Sequence, residues 1–218
     1  MTPMNLDLKI RDTLAQSIIT SLERAVPGSV ALLRGSLAND TTDACSDIDI
    51  MWEVPDERFA AAVERIAVYL SQAHPLESLR SAPDYQKSDR RRLFFVQFEN
   101  MPLFWRADID VFARSVHRDT QYDVDNEAAR GDDWSLTHSA LMNAIAAIKA
   151  LLRGKDEMAQ GLLERGFARL GLAIPPGNRQ DLILELADNA AAMDSTQAAL
   201  AGRIRSLHQQ VFDGDKSN

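Results

Sequence analysis

One motif decides the fold of this chain: Arg34-Gly35-Ser36, then ten residues, then Asp47-Ile48-Asp49-Ile50. An apolar run from Ser29 to Leu33 leads into the Gly-Ser pair, and a second run, from Ser46 to Val54, alternates in polarity. Successive side chains of a strand point to opposite faces. The second run therefore predicts a strand whose one face carries Asp47, Asp49, Met51 and Glu53. Its other face enters a core through Ile48, Ile50, Trp52 and Val54.

The residue types of this motif indicate a particular chemistry. Two carboxylates two positions apart on a strand form a rigid set of hard oxygen ligands, which suits Mg²⁺. A Gly-Ser turn just before them offers backbone N–H groups and a hydroxyl to a phosphate. Metal ligands beside a phosphate-binding turn favour phosphoryl or nucleotidyl transfer.

The motif resembles that of the nucleotidyltransferases of the DNA polymerase β superfamily, and most of all their small bacterial aminoglycoside and lincosamide adenylyltransferases. Asp40 stands where small members usually carry a glycine. The resemblance implies an α/β fold, with a small mixed-sheet nucleotidyltransferase domain over residues 1–125. An all-α helical bundle of the substrate-binding type would follow over residues 133–213. The matching positions are Gly35, Ser36, Ala38, Ser46, Asp47 and Asp49.

The resemblance also requires a third carboxylate on a later strand. The stretch 103–112 alternates so that Arg106, Asp108 and Asp110 share one face. Both aspartates fit the pattern of an aspartate between apolar residues. Asp108 is preferred because it leaves more strand after the site, and Asp110 remains the alternative.

The same resemblance implies a mechanism and its reactants. Asp47, Asp49 and Asp108 would bind two Mg²⁺ ions, with Asp110 kept among the catalytic candidates, and ATP or another nucleoside triphosphate would be the donor. A nucleoside monophosphate would pass to a hydroxyl as pyrophosphate leaves. The candidates for binding the triphosphate are Arg34, Gly35, Ser36, Lys149 and Arg153.

Composition narrows the choice of acceptor and compartment. The net charge of −8 makes nucleic acid an unlikely partner, because nucleic-acid binders usually carry basic clusters. It suits a small cationic acceptor such as an aminoglycoside, which would make this an antibiotic-resistance enzyme, although solubility alone explains the charge equally well. Apolar runs are too short to span a bilayer, and the single Cys45 excludes an internal disulfide. Together these observations favour the cytoplasm.

Hydrophobic periodicity predicts the remaining elements. A strand or loop should cross 76–84, and strands 93–98 and 103–112 should be joined by a hairpin-like connection at 99–102. The tail from Gly214 is expected to be disordered. Trp134, at the domain junction, is the aromatic residue expected to stack on a substrate. Helices are predicted at 4–25, 56–73, 136–153, 156–170, 179–190 and 194–212. Ser135 is expected to cap the helix at 136–153. The core-facing stripe of that helix is expected to contain Leu141, Ile145, Ile148 and Leu152. A solvated strand edge is expected at Arg90, Arg91 and Arg92.

Two other functions fit the same residues. One is a protein- or tRNA-adenylylating enzyme of a toxin–antitoxin system, against which the acidic charge argues in the case of RNA. The other is a catalytically silent module that binds a nucleotide or a partner. All the required carboxylates are present, so the sequence ranks the silent module last.

Overall fold

The computed structural model describes residues 6–39 and 42–212. Asp40, whose fit in place of a glycine was in question, and the tail from Gly214 lie outside them. The strands are β1 Val30–Arg34, β2 Ile48–Val54, β3 Leu76–Ser81, β4 Arg91–Phe98 and β5 Ala107–Ala113. The helices are α1 Leu8–Ala25, α2 Gly35–Ala38, α3 Phe59–Glu64, α4 Ile66–Ala73, α5 Leu136–Leu152, α6 Asp156–Arg169, α7 Arg179–Met193 and α8 Ala198–Phe212.

The five strands form one mixed sheet in the order β1-β2-β5-β4-β3. The β2–β5 pair is parallel, and the other three neighbouring pairs are antiparallel. One sheet face packs with α1, α3 and α4 in a core that contains Ile18, Leu22, Ile50, Trp52 and Ile109, each at most 1% exposed. The opposite face carries polar and charged side chains, so the sheet separates the core from the candidate site.

The alternation predicted for the second strand is confirmed. Residues Ile48 to Val54 alternate between buried and half-buried side chains, and Trp52 is fully buried. The Trp52 indole donates a hydrogen bond of 3.0 Å to the Ser29 hydroxyl, which satisfies its one polar atom. The strand begins at Ile48, so Asp47 directly precedes it.

Several boundaries differ from the sequence prediction by a few residues, as where α7 ends at Met193 and α8 begins at Ala198, and two differences concern the sheet and the helices that cover it. The predicted helix at 56–73 is a 3₁₀ turn followed by α3 and α4, which break at Arg65 (φ −101°, ψ 6°). No proline or glycine marks this break, so the periodicity did not reveal it. The connection between β4 and β5 also runs longer than predicted, from Glu99 to Arg106, because turns and the buried Phe104 and Trp105 precede β5.

The residues from Ser135 onward form helices, as predicted. Ser135 caps α5 by accepting a hydrogen bond of 3.1 Å from the backbone N–H of His138. Gly154 follows the helix with a φ of +65°, a conformation that glycine adopts without strain. Leu152 was predicted to face the core, but it is 46% exposed because the helix ends there.

The chain is thus an α/β protein with a small mixed sheet followed by a helical bundle. Residues Leu6–Trp134 form one compact unit, and the helices from Ser135 onward belong to a second. None of the helices within residues 6–39 and 42–212 is both long and apolar enough to cross a membrane.

Candidate functional site

Asp49 and Asp108 are direct neighbours across the parallel β2–β5 pair. Paired residues of adjacent strands lie about 5 Å apart and point to the same face, so both carboxylates lie on the polar face of the sheet. Asp110 pairs instead with Met51, two residues further along both strands. The register therefore places Asp108, and not Asp110, beside Asp49.

Gly35 packs directly against Asp49. Its φ is +62°, and a Cβ added at Gly35 would lie 2.3 Å from Oδ2 of Asp49. Arg34, the residue before it, is the β1 register partner of Asp49. Only a glycine permits both this backbone conformation and this close approach, which brings the Gly-Ser turn up to the carboxylate. Ser36 lies half-buried in the one-turn helix α2.

Arg106 forms an ion pair with the second of these carboxylates, Asp108. Its Nε and Nη2 atoms donate two hydrogen bonds of 2.6 Å to the Asp108 carboxylate. Burial alone would lower the pKa of Arg106. The charge of Asp108, with further contributions from Asp47 and Asp49, outweighs burial and raises that pKa above its ordinary value. All three carboxylates therefore act on one guanidinium.

The donor set fits Mg²⁺ in its chemistry, since all three side chains are hard carboxylates on, or directly before, the interior strands β2 and β5. Among residues 6–39 and 42–212, no three His, Cys, Asp or Glu side chains are yet grouped as metal ligands. In the structure the third carboxylate, Asp108, is hydrogen-bonded to the Arg106 guanidinium. Asp47 and Asp49 would hold a first ion, and Asp108 would join them once Arg106 releases it.

Asp110 has a different set of partners. Arg91 donates to both of its oxygens at 3.2 and 3.1 Å, and Arg34 lies 3.6 Å away. Burial is the largest influence on Asp110 and raises its pKa, and the two arginines only partly oppose it. Arg91 is itself only 8% exposed and stacks on the rings of Tyr85 and Phe112. Asp110 thus links a buried arginine to Arg34 beside the site.

The loop before Asp47 is held in place by hydrogen bonds. The Asp43 carboxylate accepts hydrogen bonds from the backbone N–H of Cys45 at 2.9 Å and from the Ser46 hydroxyl at 3.0 Å. Arg11 of α1, which is 1% exposed, donates to the Asp43 carbonyl at 2.7 Å. The Trp105 indole donates to the neighbouring Ala44 carbonyl at 2.9 Å. The described end of the loop is therefore fixed at three points.

Lys149 and Arg153 lie in the helical unit. Lys149 is 8% exposed in the last turn of α5, and Arg153 is the exposed residue that caps this helix. The structure brings Asp49 and Asp108 together with the Gly35 turn and Arg34, and Asp47 directly precedes β2, all within the first unit. Binding of a triphosphate by Lys149 and Arg153 stays a prediction.

The contacts of two site residues, Arg106 and Arg91, were not predicted from the sequence. Arg106 was placed on the face of Asp108, and its i, i+2 spacing was the only available signal of their ion pair. Arg91 was expected to be a solvated residue at a strand edge and is buried instead. Its partners come from three separate segments, which only the folded sheet brings together.

No protein-family model and no curated protein matches the sequence. Solved structures similar to the chain include the GLD-2/RNP-8 complex, with 13% identity, a TM-score of 0.33 and coverage of 81% of this chain and 51% of the other. The complex of the non-canonical poly(A) polymerase GLD-2 with GLD-3 has 14% identity, a TM-score of 0.35 and coverage of 86% and 71%. An aminoglycoside 6-adenyltransferase from Bacillus subtilis has 8% identity, a TM-score of 0.35 and coverage of 95% and 99%.

The chain spans about half the length of the first of these structures. Similarities of this size do not establish what the protein does. The functional conclusion therefore depends on the geometry of Gly35, Asp49 and Asp108 rather than on the similar structures.

Proposed function

We propose that the protein is a Mg²⁺-dependent nucleotidyltransferase that moves a nucleoside monophosphate from a triphosphate, with ATP as the first candidate, to a hydroxyl of a small acceptor. The observation that carries this proposal is the placement of Asp49 between Gly35 and Asp108. A phosphate-binding turn touches one side of the carboxylate, and a second carboxylate is its register partner on the other side.

This arrangement gives each residue a role in an in-line displacement. The Gly35-Ser36 turn and Arg34 bind the phosphates that leave, through backbone N–H groups, a hydroxyl and a guanidinium. Asp47, Asp49 and Asp108 would hold Mg²⁺, which would supply stabilisation of the negative charge that develops on the attacking and leaving oxygens. The acceptor approaches on the opposite side of Asp49, where Asp108 orients its hydroxyl.

The bonds that change are defined by this chemistry. The acceptor oxygen bonds to the α-phosphorus, and the bond from that phosphorus to the bridging oxygen of pyrophosphate breaks. The hydroxyl proton passes to the Asp108 carboxylate. Arg106, which holds Asp108 in the structure, must release the Asp108 carboxylate when the reactants bind.

The proposal is tested by incubating the full chain with each of the four common nucleoside triphosphates and a panel of hydroxyl-bearing acceptors, with pyrophosphate release as the readout. The panel includes aminoglycosides, because the sequence favours a cationic acceptor, and nucleotides. Release that requires Mg²⁺ and an acceptor, and that disappears in Asp49→Asn, would support transfer. Absence of release with every pair would contradict it.

A further inference from the structure

A row of side chains crosses all five strands on the polar face of the sheet. Arg34 pairs with Asp49, Asp49 with Asp108, Asp108 with Phe95, and Phe95 with Arg80. The Gly-Ser turn lies at the β1 end of this row. In an in-line displacement the acceptor enters opposite the leaving group. The β4 and β3 end, which carries Phe95 and Arg80, is therefore the acceptor side.

On this side, two aromatic rings contact each other, and each of them is also in contact with a guanidinium. Arg106 lies 4.9 Å from the centre of the Phe95 ring, and Phe95 meets Trp134 edge to face at 5.9 Å. Arg80 in turn lies 4.8 Å from the centre of the Trp134 ring. All four side chains are half-buried, so part of each remains accessible to a ligand. We name this group, Arg80, Phe95, Arg106 and Trp134, the aromatic platform.

The segment that carries Trp134 is built to hold it over the sheet. The Gln86 side-chain amide donates to the Asp133 carbonyl at 2.6 Å and accepts from the Asp133 N–H at 3.2 Å. A Cβ at Gly131 would lie 2.1 Å from the side-chain Oε1 of Gln86 and 2.6 Å from its Cβ, so this close packing requires a glycine. Trp134 is therefore positioned by specific bonds from the segment between β3 and β4.

We propose that the aromatic platform binds the acceptor of the transfer reaction, and that this acceptor carries a planar heteroaromatic ring and an anionic group, as a nucleoside monophosphate does. Guanidinium planes stack on aromatic rings and donate paired hydrogen bonds to phosphate or carboxylate. A cationic aminoglycoside would meet the Arg80 guanidinium here, and the charge of Arg106 is already paired with Asp108. The assignment as acceptor depends on the proposed transfer function, whereas binding to the platform does not.

Intrinsic fluorescence provides a selective readout. Trp52 and Trp105 are at most 2% exposed, whereas Trp134 is half-buried, so a ligand on the platform changes chiefly the emission of Trp134. The full chain would be titrated in EDTA with AMP, and separately with adenosine, ribose 5-phosphate and the aminoglycoside kanamycin. We expect AMP to quench emission at the lowest concentration and kanamycin not to quench it. No quenching by AMP, or tighter binding of kanamycin, would overturn the proposal and direct attention to the exposed Asp132 and Asp133.

Matched variants separate the platform from general surface effects. Arg80→Met should weaken AMP binding by about tenfold or more, and Arg80→Lys should recover only part, because lysine keeps the charge but not the planar stacking. Arg65→Met is the control, since Arg65 also stacks on a ring, that of Tyr69 at 5.8 Å, away from the platform. Unchanged AMP affinity in a folded Arg80→Met protein, or an equal loss in Arg65→Met, would overturn the proposal.

A competition experiment distinguishes the acceptor from the base of the donor. AMP would be titrated again with Mg²⁺ and a saturating non-hydrolysable ATP analogue. Quenching by AMP that persists supports an acceptor site, and competition would show that the platform holds the donor base and overturn the acceptor assignment. The binding experiment measures no transfer, so failure of AMP to bind the platform would not decide whether the protein catalyses transfer. Likewise, absence of pyrophosphate release would not decide whether the platform binds AMP.

Discussion

Gly35 lies so close to Asp49 that a single methyl group at Gly35 would come within 2.3 Å of a carboxylate oxygen. This contact joins the turn expected to bind phosphate to the carboxylate expected to bind metal. The two functions of the motif therefore depend on one glycine, which also has a positive φ.

Gly35→Ala should abolish transfer. The alanine must displace the Asp49 carboxylate, and its φ of +62° adds a strain of about 1–2 kcal/mol. Gly154→Ala is the matched control, because its φ is +65° but a Cβ there meets nothing within 4 Å. Thermal unfolding should show a similar backbone penalty in both variants, and pyrophosphate release should disappear only in Gly35→Ala. Wild-type turnover in Gly35→Ala would refute the close-approach argument.

Asp108→Asn and Asp110→Asn should have opposite effects on transfer. Asp108 is the register partner of Asp49, so its variant should lose transfer, and because it also removes the ion pair with Arg106 it should lose unfolding free energy as well. Asp110 lies about 6–7 Å further along the strand and holds the buried Arg91. Its variant should keep transfer but lose roughly 1–3 kcal/mol of unfolding free energy. Urea unfolding and pyrophosphate release, measured on both proteins, decide the matter, and an inactive Asp110→Asn with an active Asp108→Asn would reverse the assignment.

Acid stability should depend on Asp56. The pKa of Asp56 lies below its ordinary value of 3.8. The main cause is the hydrogen bond from the Ser115 hydroxyl, and the Ser115 N–H and the Arg90 guanidinium add to it. The Asp56 carboxylate therefore binds a proton less tightly in the folded state than in the unfolded state. Its stabilising contribution is complete above about pH 4 and is lost as pH falls through the lower folded-state pKa. Urea unfolding between pH 2.5 and about 5.5 should show a shallower acid limb in Asp56→Asn and a partial effect in Ser115→Ala. Identical acid limbs in all three proteins would contradict this.

Arg11 should be required for the loop before Asp47. Removing its hydrogen bond to the Asp43 carbonyl in Arg11→Met should cost roughly 1.5–3 kcal/mol of unfolding free energy and weaken Mg²⁺-dependent nucleotide binding. Arg11→Lys should recover part of both. Arg24→Met, on an exposed position of the same helix, should change neither. A loss of stability without any loss of nucleotide binding would show that the loop does not depend on Arg11.

Local sequence patterns were sufficient to predict the elements of the fold. The alternation from Ile48 to Val54 and the cap at Ser135 depend on residues within a few positions of one another, which is the range over which strand and helix periodicity acts. The break at Arg65 was not visible because it has no proline or glycine. Leu152 followed the helical stripe, but the helix ends before it can be covered.

The candidate site was predictable only in its residue types. Asp108 and Asp110 share one face, so alternation cannot choose between them, and the β2–β5 register is needed to place Asp108 beside Asp49. The same register assembles Arg34, Phe95 and the strands between them into one row. Interactions that join distant segments, such as Arg91 with Asp110, have no local sequence signal.

The most direct test of the central claim is calorimetric titration of a non-hydrolysable ATP analogue, with Mg²⁺ and with EDTA, into the wild-type chain, Asp49→Asn and Glu53→Gln. Glu53 lies on the same strand and face as Asp49, about 13 Å further along the strand. It forms an ion pair with Arg114. We predict that Mg²⁺ strengthens binding about tenfold or more in the wild type and in Glu53→Gln, and not at all in Asp49→Asn. Equal affinities with and without Mg²⁺ in the wild type, or an unchanged Mg²⁺ effect in Asp49→Asn, would contradict the claim.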